Sequence, residues 1–159
     1  SQETGIKIVH ETHRGKWSFA AHITRHYLES FNDIRLTLDI SHWCNTAESY
    51  LQDQKEAVDL AIFHTDHIHA RIGFPQGPQI NDPRAPEWQE TVFKYLSWWD
   101  KIIDLKIKEK NRYMYITPEF GPDPYMPLLP FTRQPVTNQW EINQYMMELL
   151  KERYIDLDR

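Results

Sequence analysis

An α/β fold built on a parallel sheet is what this sequence predicts, on three observations. Strand-like and helix-like segments alternate four times along the 159 residues. The strand segments are short, nearly continuous apolar runs, the pattern of strands covered on both faces. Each run ends in a polar residue just before a turn: Glu11, Asp39, His69 and Glu119. Such groups are costly in the middle of buried parallel strands, but at the carboxyl ends they meet at one mouth, where α/β folds place their chemistry. Three carboxylates and an imidazole gathered there would suit a divalent cation.

The elements follow in order. A strand is expected at about 6–11 and a helix at 18–31, capped by Ser18, with Phe19, Ile23, Tyr27 and Phe31 as its apolar stripe. A second strand at 34–39 leads to a helix at 46–63 with Thr46 as cap, burying Tyr50, Leu51, Val58, Ala61 and Ile62. A third strand at 66–71 precedes a long loop and a helix at 86–109, opened by Pro86. Along it Trp99 reads as core, and Trp98 reads as packing on a neighbouring helix or a second subunit. The fourth strand, 113–119, leads through a Pro-rich loop to a helix at 138–154, where Asn138 and Glu141 have the spacing of a capping box. Alternation of this kind implies right-handed crossovers and a single domain over 1–159. The loops 72–85 and 120–137 are longer than most connections of their type, as loops that build a site often are.

Bulk properties narrow the function. A net charge of −5 argues against a broad nucleic-acid face. The single cysteine, Cys44, precludes an internal disulfide and suits a reducing, cytoplasmic compartment; it reads as a packed residue, not a nucleophile. No apolar run is long enough for a bilayer, so no membrane partner is expected. There is no Gly-x-Gly-x-x-Gly after the first strand and no phosphate loop ending in Lys-Ser or Lys-Thr, which leaves a nucleotide fold little support. The chain enters a strand almost at its first residues, which suggests a part of something longer.

Four motifs carry a resemblance: His10-Glu11-Thr12-His13-Arg14-Gly15, Leu38-Asp39-Ile40-Ser41-His42-Trp43, Asp66-His67-Ile68-His69-Ala70-Arg71 and Pro118-Glu119-Phe120-Gly121. In this order they resemble the second half of the xylose-isomerase-like TIM barrels, and within them the sugar phosphate isomerase/epimerase group. The resemblance implies a (β/α)4 parallel half-barrel, the C-terminal half of a barrel that needs eight strands and about 250 residues. A missing N-terminal half or a second copy, as a homo-oligomer, would complete it. It also implies a metal held by Glu11, Asp39, His69 and Glu119, with His67 an alternative to His69 one step deeper in the strand. His42 matches a substrate-touching histidine. Arg71 resembles a substrate-binding arginine at a shorter spacing than usual.

The implied reaction is isomerisation or epimerisation of a sugar or sugar phosphate through an enediolate. Glu11 and Glu119 would exchange the proton, and Mn²⁺, Mg²⁺ or Co²⁺, with Zn²⁺ as a further candidate, would offset the charge. Aromatics near the strand ends, Trp17, Trp43 and Phe74, would wall the sugar. Two alternatives stand beside this one. The first is a catalytically incomplete metal- or ligand-binding module. The second is an endonuclease IV-like phosphodiesterase, weakened because Asp82-Pro83-Arg84 stands where an Asp-x-His would be needed.

Overall fold

The computed structural model describes residues 4–111 and 113–154. Its centre is a four-stranded, all-parallel sheet in the order β1-β2-β3-β4. The strands are β1 (His10–Glu11), β2 (Leu36–Leu38), β3 (Thr65–His69) and β4 (Tyr115–Thr117). The helices are α1 (Ala21–Ser30), α2 (Ile40–Ala47), α3 (Lys55–Phe63), α4 (Gln89–Lys108) and α5 (Gln139–Tyr154), with a 3₁₀ turn at Pro86–Trp88 before α4. The α/β alternation and the all-parallel pairing are those expected from the sequence.

Register decides which residues share a face. Glu11 pairs with Thr37, Thr37 with His67, and His67 with Tyr115; one step on, His69 pairs with Thr117. Alternation along each strand therefore puts these polar residues on one face and Leu36, Leu38, Ile68 and Ile116 on the other. Leu36, Leu38 and Ile68 are fully buried, in one core with Trp43, Tyr95, Trp99 and Ile102. Trp98 is buried as well, its ring edge-on to Tyr95 at 5.1 Å within α4. Among the described residues no helix is long and apolar enough to cross a membrane.

Three local expectations are corrected. The first strand pairs only at His10–Glu11; Ile6 and Ile8, expected inside it, lie exposed, and among the described residues no further strand covers the β1 edge. The first helix starts at Ala21, and Ser18 caps nothing. Its hydroxyl donates to the Glu11 carbonyl at 2.6 Å, and its own carbonyl accepts Trp43 Nε1–H at 2.9 Å. The stripe Phe19, Ile23, Tyr27, Phe31 does not form the buried face, which is Ala21, Thr24 and Leu28, while Phe19, Tyr27 and Phe31 are exposed. A strict four-residue spacing drifts about 40° per step around a helix, so such a stripe cannot stay on one face.

The expected helix at 46–63 is two helices. Asp39 ends β2 and caps α2 immediately, its Oδ1 accepting Ser41 N–H at 2.9 Å. Thr46, the expected cap, lies inside α2. α2 stops at Glu48 in the left-handed region (φ 47°), and a second such turn at Leu51 (φ 58°) leads to α3. Tyr50 and Leu51 belong to this turn, Leu51 buried and the Tyr50 hydroxyl within 2.7 Å of Thr91 Oγ1. His64, just past the end of α3, is buried, with Nδ1 2.8 Å from the Ile34 carbonyl. The cap of α5 is as expected: Asn138 Oδ1 accepts the N–H groups of Trp140 and Glu141.

Candidate metal centre

At the carboxyl ends of the four strands, Glu11, Asp39, His69 and Glu119 each offer a donor atom, and all four atoms lie within 4.8 Å of one another. Donors on a shell of radius about 2.1 Å stand roughly 3–4.2 Å apart, so small rotamer adjustments would close this group around a divalent ion. The donor set, three carboxylates and one imidazole, suits an oxygen-preferring or borderline ion. These residues could hold a metal.

The side chains are already tied to each other. His69 Nδ1 is 2.6 Å from Glu119 Oε2 and 3.2 Å from Glu11 Oε1. Burial pulls the His69 pKa down, but the Glu119 bond and the charges of Glu119, Asp39 and Glu11 outweigh it and leave it raised. Burial likewise pushes Glu11 up, yet the Lys16 ammonium, with His69 and His13, brings it below the ordinary carboxylate value. Lys16 bonds Glu11 Oε2 directly.

Asp39 is fully buried. Its backbone is pinned by Thr12, whose hydroxyl donates to the Asp39 carbonyl and accepts the Asp39 N–H, each at 2.8 Å. Its Oδ2 accepts from Arg71 Nε at 3.2 Å and from Nη2 at 2.7 Å. The same Arg71 nitrogen reaches Glu119 Oε2 at 3.4 Å and donates to His42 Nε2 at 3.1 Å. The guanidinium also lies over the Tyr125 ring, 4.5 Å from its centroid. Burial raises the cost of the Arg71 charge, but Asp39 and Glu119 more than repay it and its pKa is raised.

His42 is wholly enclosed, its ring 4.0 Å from that of His13. Burial first, then the adjacent Arg71 charge, pull its pKa down to about 3. It is therefore neutral, and its 3.7 Å approach to Asp39 is not an ion pair. Because Nε2 accepts from Arg71, the ring proton belongs on Nδ1, which has no hydrogen-bond partner.

The other candidates are placed as follows. His67 lies deeper on the same face, between Thr37 Oγ1 at 3.3 Å and Thr117 Oγ1 at 2.8 Å, outside the four-donor group. Trp17 packs against His10 and Tyr27, Phe74 against Trp88, and Trp43 is core. The aromatic ring beside the cluster is instead Tyr125, from the long loop after β4, with Arg71 on it and Arg14 5.5 Å from its centroid. Arg14 also bonds Asn45.

Two amide side chains that the sequence did not single out hold the loops around Glu119. Gln79 exchanges two bonds with the Gly121 backbone, at 2.7 and 3.1 Å. Asn143 on α5 bonds both the N–H and the carbonyl of Phe120 at 2.9 Å. Tyr125 had a signal in its Pro-rich loop, and Lys16 had one in its closeness to Glu11 along the chain. Gln79 and Asn143 had none, because their partners are backbone groups 42 and 23 residues away. No family model, no curated protein and no solved structure matches the chain.

Proposed function

We propose that this chain is the metal-holding half of a sugar isomerase or epimerase barrel of the xylose-isomerase-like type. One observation carries the reading: each of four successive parallel strands delivers one metal-capable side chain to the same point. Such convergence at strand carboxyl ends is where barrels and open α/β sheets place their sites. The uncovered edges at β1 and β4 are where further strands would join, from four more β/α units or from a second copy.

A divalent ion, Mn²⁺, Mg²⁺ or Co²⁺ by the donor set, would supply Lewis-acid stabilisation of charge on substrate oxygens. The rest falls to the chain. Glu11 comes from β1 and Glu119 follows β4, the two outer strands, and both reach the same His69 nitrogen, at 3.2 and 2.6 Å. A sugar carbon between them would have one carboxylate to take its proton and another to return it. Lys16 keeps Glu11 ionised, as a base requires. Asp39 is immobilised by Thr12 and Ser41, which suits a ligand more than a proton carrier. The hydroxyl-rich substrate would be a sugar or a sugar phosphate, with Arg14 and Tyr125 at the rim.

A second reading is a cation-binding module without turnover. The sheet's polar face is open beside Tyr115, which is 64% exposed, so the described residues wall a substrate from one side only. The phosphodiesterase alternative gains nothing: Asp82, the nearest counterpart to its extra ligand pair, is held by Arg84 at 2.7 Å.

The test is proton exchange in D₂O. The protein is given Mn²⁺ and a panel of aldoses, ketoses and their phosphates, and deuterium uptake beside the carbonyl is followed by NMR. Uptake by at least one sugar, lost in Glu119→Gln and Glu11→Gln, is expected. Mn²⁺ binding without exchange on any sugar leaves the binding module, and nicking of abasic DNA selects the endonuclease class.

A further inference from the structure

Resting on the metal reading above, we propose that Arg71 is a resident counter-ion of the site, which must release Asp39 before a divalent ion can be held by all four strand-end side chains. Asp39 has two oxygens, and both are fully engaged. Oδ1 accepts from Ser41 N–H at 2.9 Å and from Ser41 Oγ–H at 2.5 Å. Oδ2 accepts from two Arg71 nitrogens, at 3.2 and 2.7 Å. Two acceptances fill the lone pairs of a carboxylate oxygen. A cation therefore gains Asp39 only if a donor leaves one of these oxygens.

The two pairs are not equally free to leave. Ser41 N–H is the first-turn amide that Asp39 caps, and the Thr12 clamp fixes the Asp39 backbone. Breaking the amide bond uncaps α2, and breaking the hydroxyl bond takes from Ser41, which is 0% exposed, the one acceptor its O–H has among the described residues. Arg71, by contrast, has other partners for its charge and its donors: Glu119 Oε2, His42 Nε2 and the Tyr125 ring. It can shift off Oδ2 and stay seated.

Charge forces the same outcome. An ion bound to Oδ2 at about 2.1 Å would lie within about 5 Å of the guanidinium if Arg71 kept its bond. Arg71 is 4% exposed and Asp39 0%, so water cannot screen that repulsion well. The guanidinium and the divalent ion thus compete for one oxygen, and Arg71 lowers the affinity of the site it completes.

The experiment is calorimetric titration of the whole chain with Mn²⁺, comparing wild type with Arg71→Gln and Arg71→Lys. Arg71→Gln is expected to bind Mn²⁺ at least about tenfold more tightly, and Arg71→Lys, which keeps the charge, to stay within about threefold of wild type. Wild-type binding with Arg71→Gln no tighter overturns the role of Arg71 and leaves the metal reading standing. No Mn²⁺ bound by either protein overturns both. Should Arg71→Gln not fold, the wild type serves: the Arg71 Nε–H signal is followed by ¹H–¹⁵N NMR during titration with Mg²⁺. Loss of its hydrogen-bonded shift at saturation is expected, and an unmoved signal while Mg²⁺ binds refutes the proposal.

Discussion

Asp66→Asn tests how the end of the sheet opposite the metal centre is held. Asp66 sits at the start of β3 with a side chain 7% exposed, and three cations converge on it. Arg35 grips it with two bonds of 2.7 Å, Lys106 reaches it at 3.0 Å, and Lys7 at 2.8 Å. Lys7 is 65% exposed and contributes little. Lys106 is 5% exposed, and Arg35 is largely covered, so the amide would leave buried charge uncompensated. Removing one member of a buried pair costs roughly 3–5 kcal/mol. Lys106 retains Glu109 at 3.1 Å, which argues for the lower end, about 3 kcal/mol.

With a urea slope of about 2 kcal/mol per molar, the unfolding midpoint should fall by roughly 1.5 M. The effect depends on pH with a defined sign. Burial pushes the Asp66 carboxyl up, but Arg35, Lys7 and Lys106 overcome that and hold it well below its ordinary value. A depressed folded-state pKa stabilises above the unfolded value, near 4, and that stabilisation is lost as pH falls toward the folded value. The gap between wild type and Asp66→Asn should be full at neutral pH and shrink below about pH 4. Equal midpoints at neutral pH, or a gap that widens on acidification, would refute the reasoning.

Other expectations are as specific. Asn143→Ala removes both bonds to Phe120 and should cost about 2 kcal/mol in urea melts while weakening Mn²⁺ binding through Glu119. Gly73→Ala places a Cβ 2.9 Å from both the Pro78 carbonyl and Ser41 Cβ, so it should lower the melting temperature, with a loss of roughly 1–3 kcal/mol. Trp43→Phe leaves the Ser18 carbonyl without its donor in a fully buried site and should cost about 2 kcal/mol by the same melts. Asp39→Asn should abolish calorimetric Mn²⁺ binding and, by keeping an acceptor for Ser41 N–H, preserve the helical circular dichroism signal.

The strands and the donor group were readable because both depend on local pattern. A polar residue after an apolar run marks a strand end, and equivalent strand ends meet in a parallel sheet. Helix boundaries were less readable where one residue serves two purposes. Asp39 looked like a strand-end ligand, and its position two residues before Ser41 is equally that of an N-cap; the cap starts α2 well before Thr46. The stripe from Phe19 to Phe31 misled because aromatics dominated the pattern, whereas α1, which packs on α3, buries the smaller Ala21, Thr24 and Leu28. Arg71 was visible as a polar residue past β3. Its grip on Asp39 depends on side-chain reach between neighbouring strands, which no spacing encodes.

The most direct measurement is an anomalous difference map from crystals grown with Mn²⁺. A single peak within about 2.0–2.4 Å of donor atoms from Glu11, Asp39, His69 and Glu119 is the predicted result. Crystals that hold Mn²⁺ elsewhere, or leave those four side chains bonded only to one another and to Arg71, would contradict it.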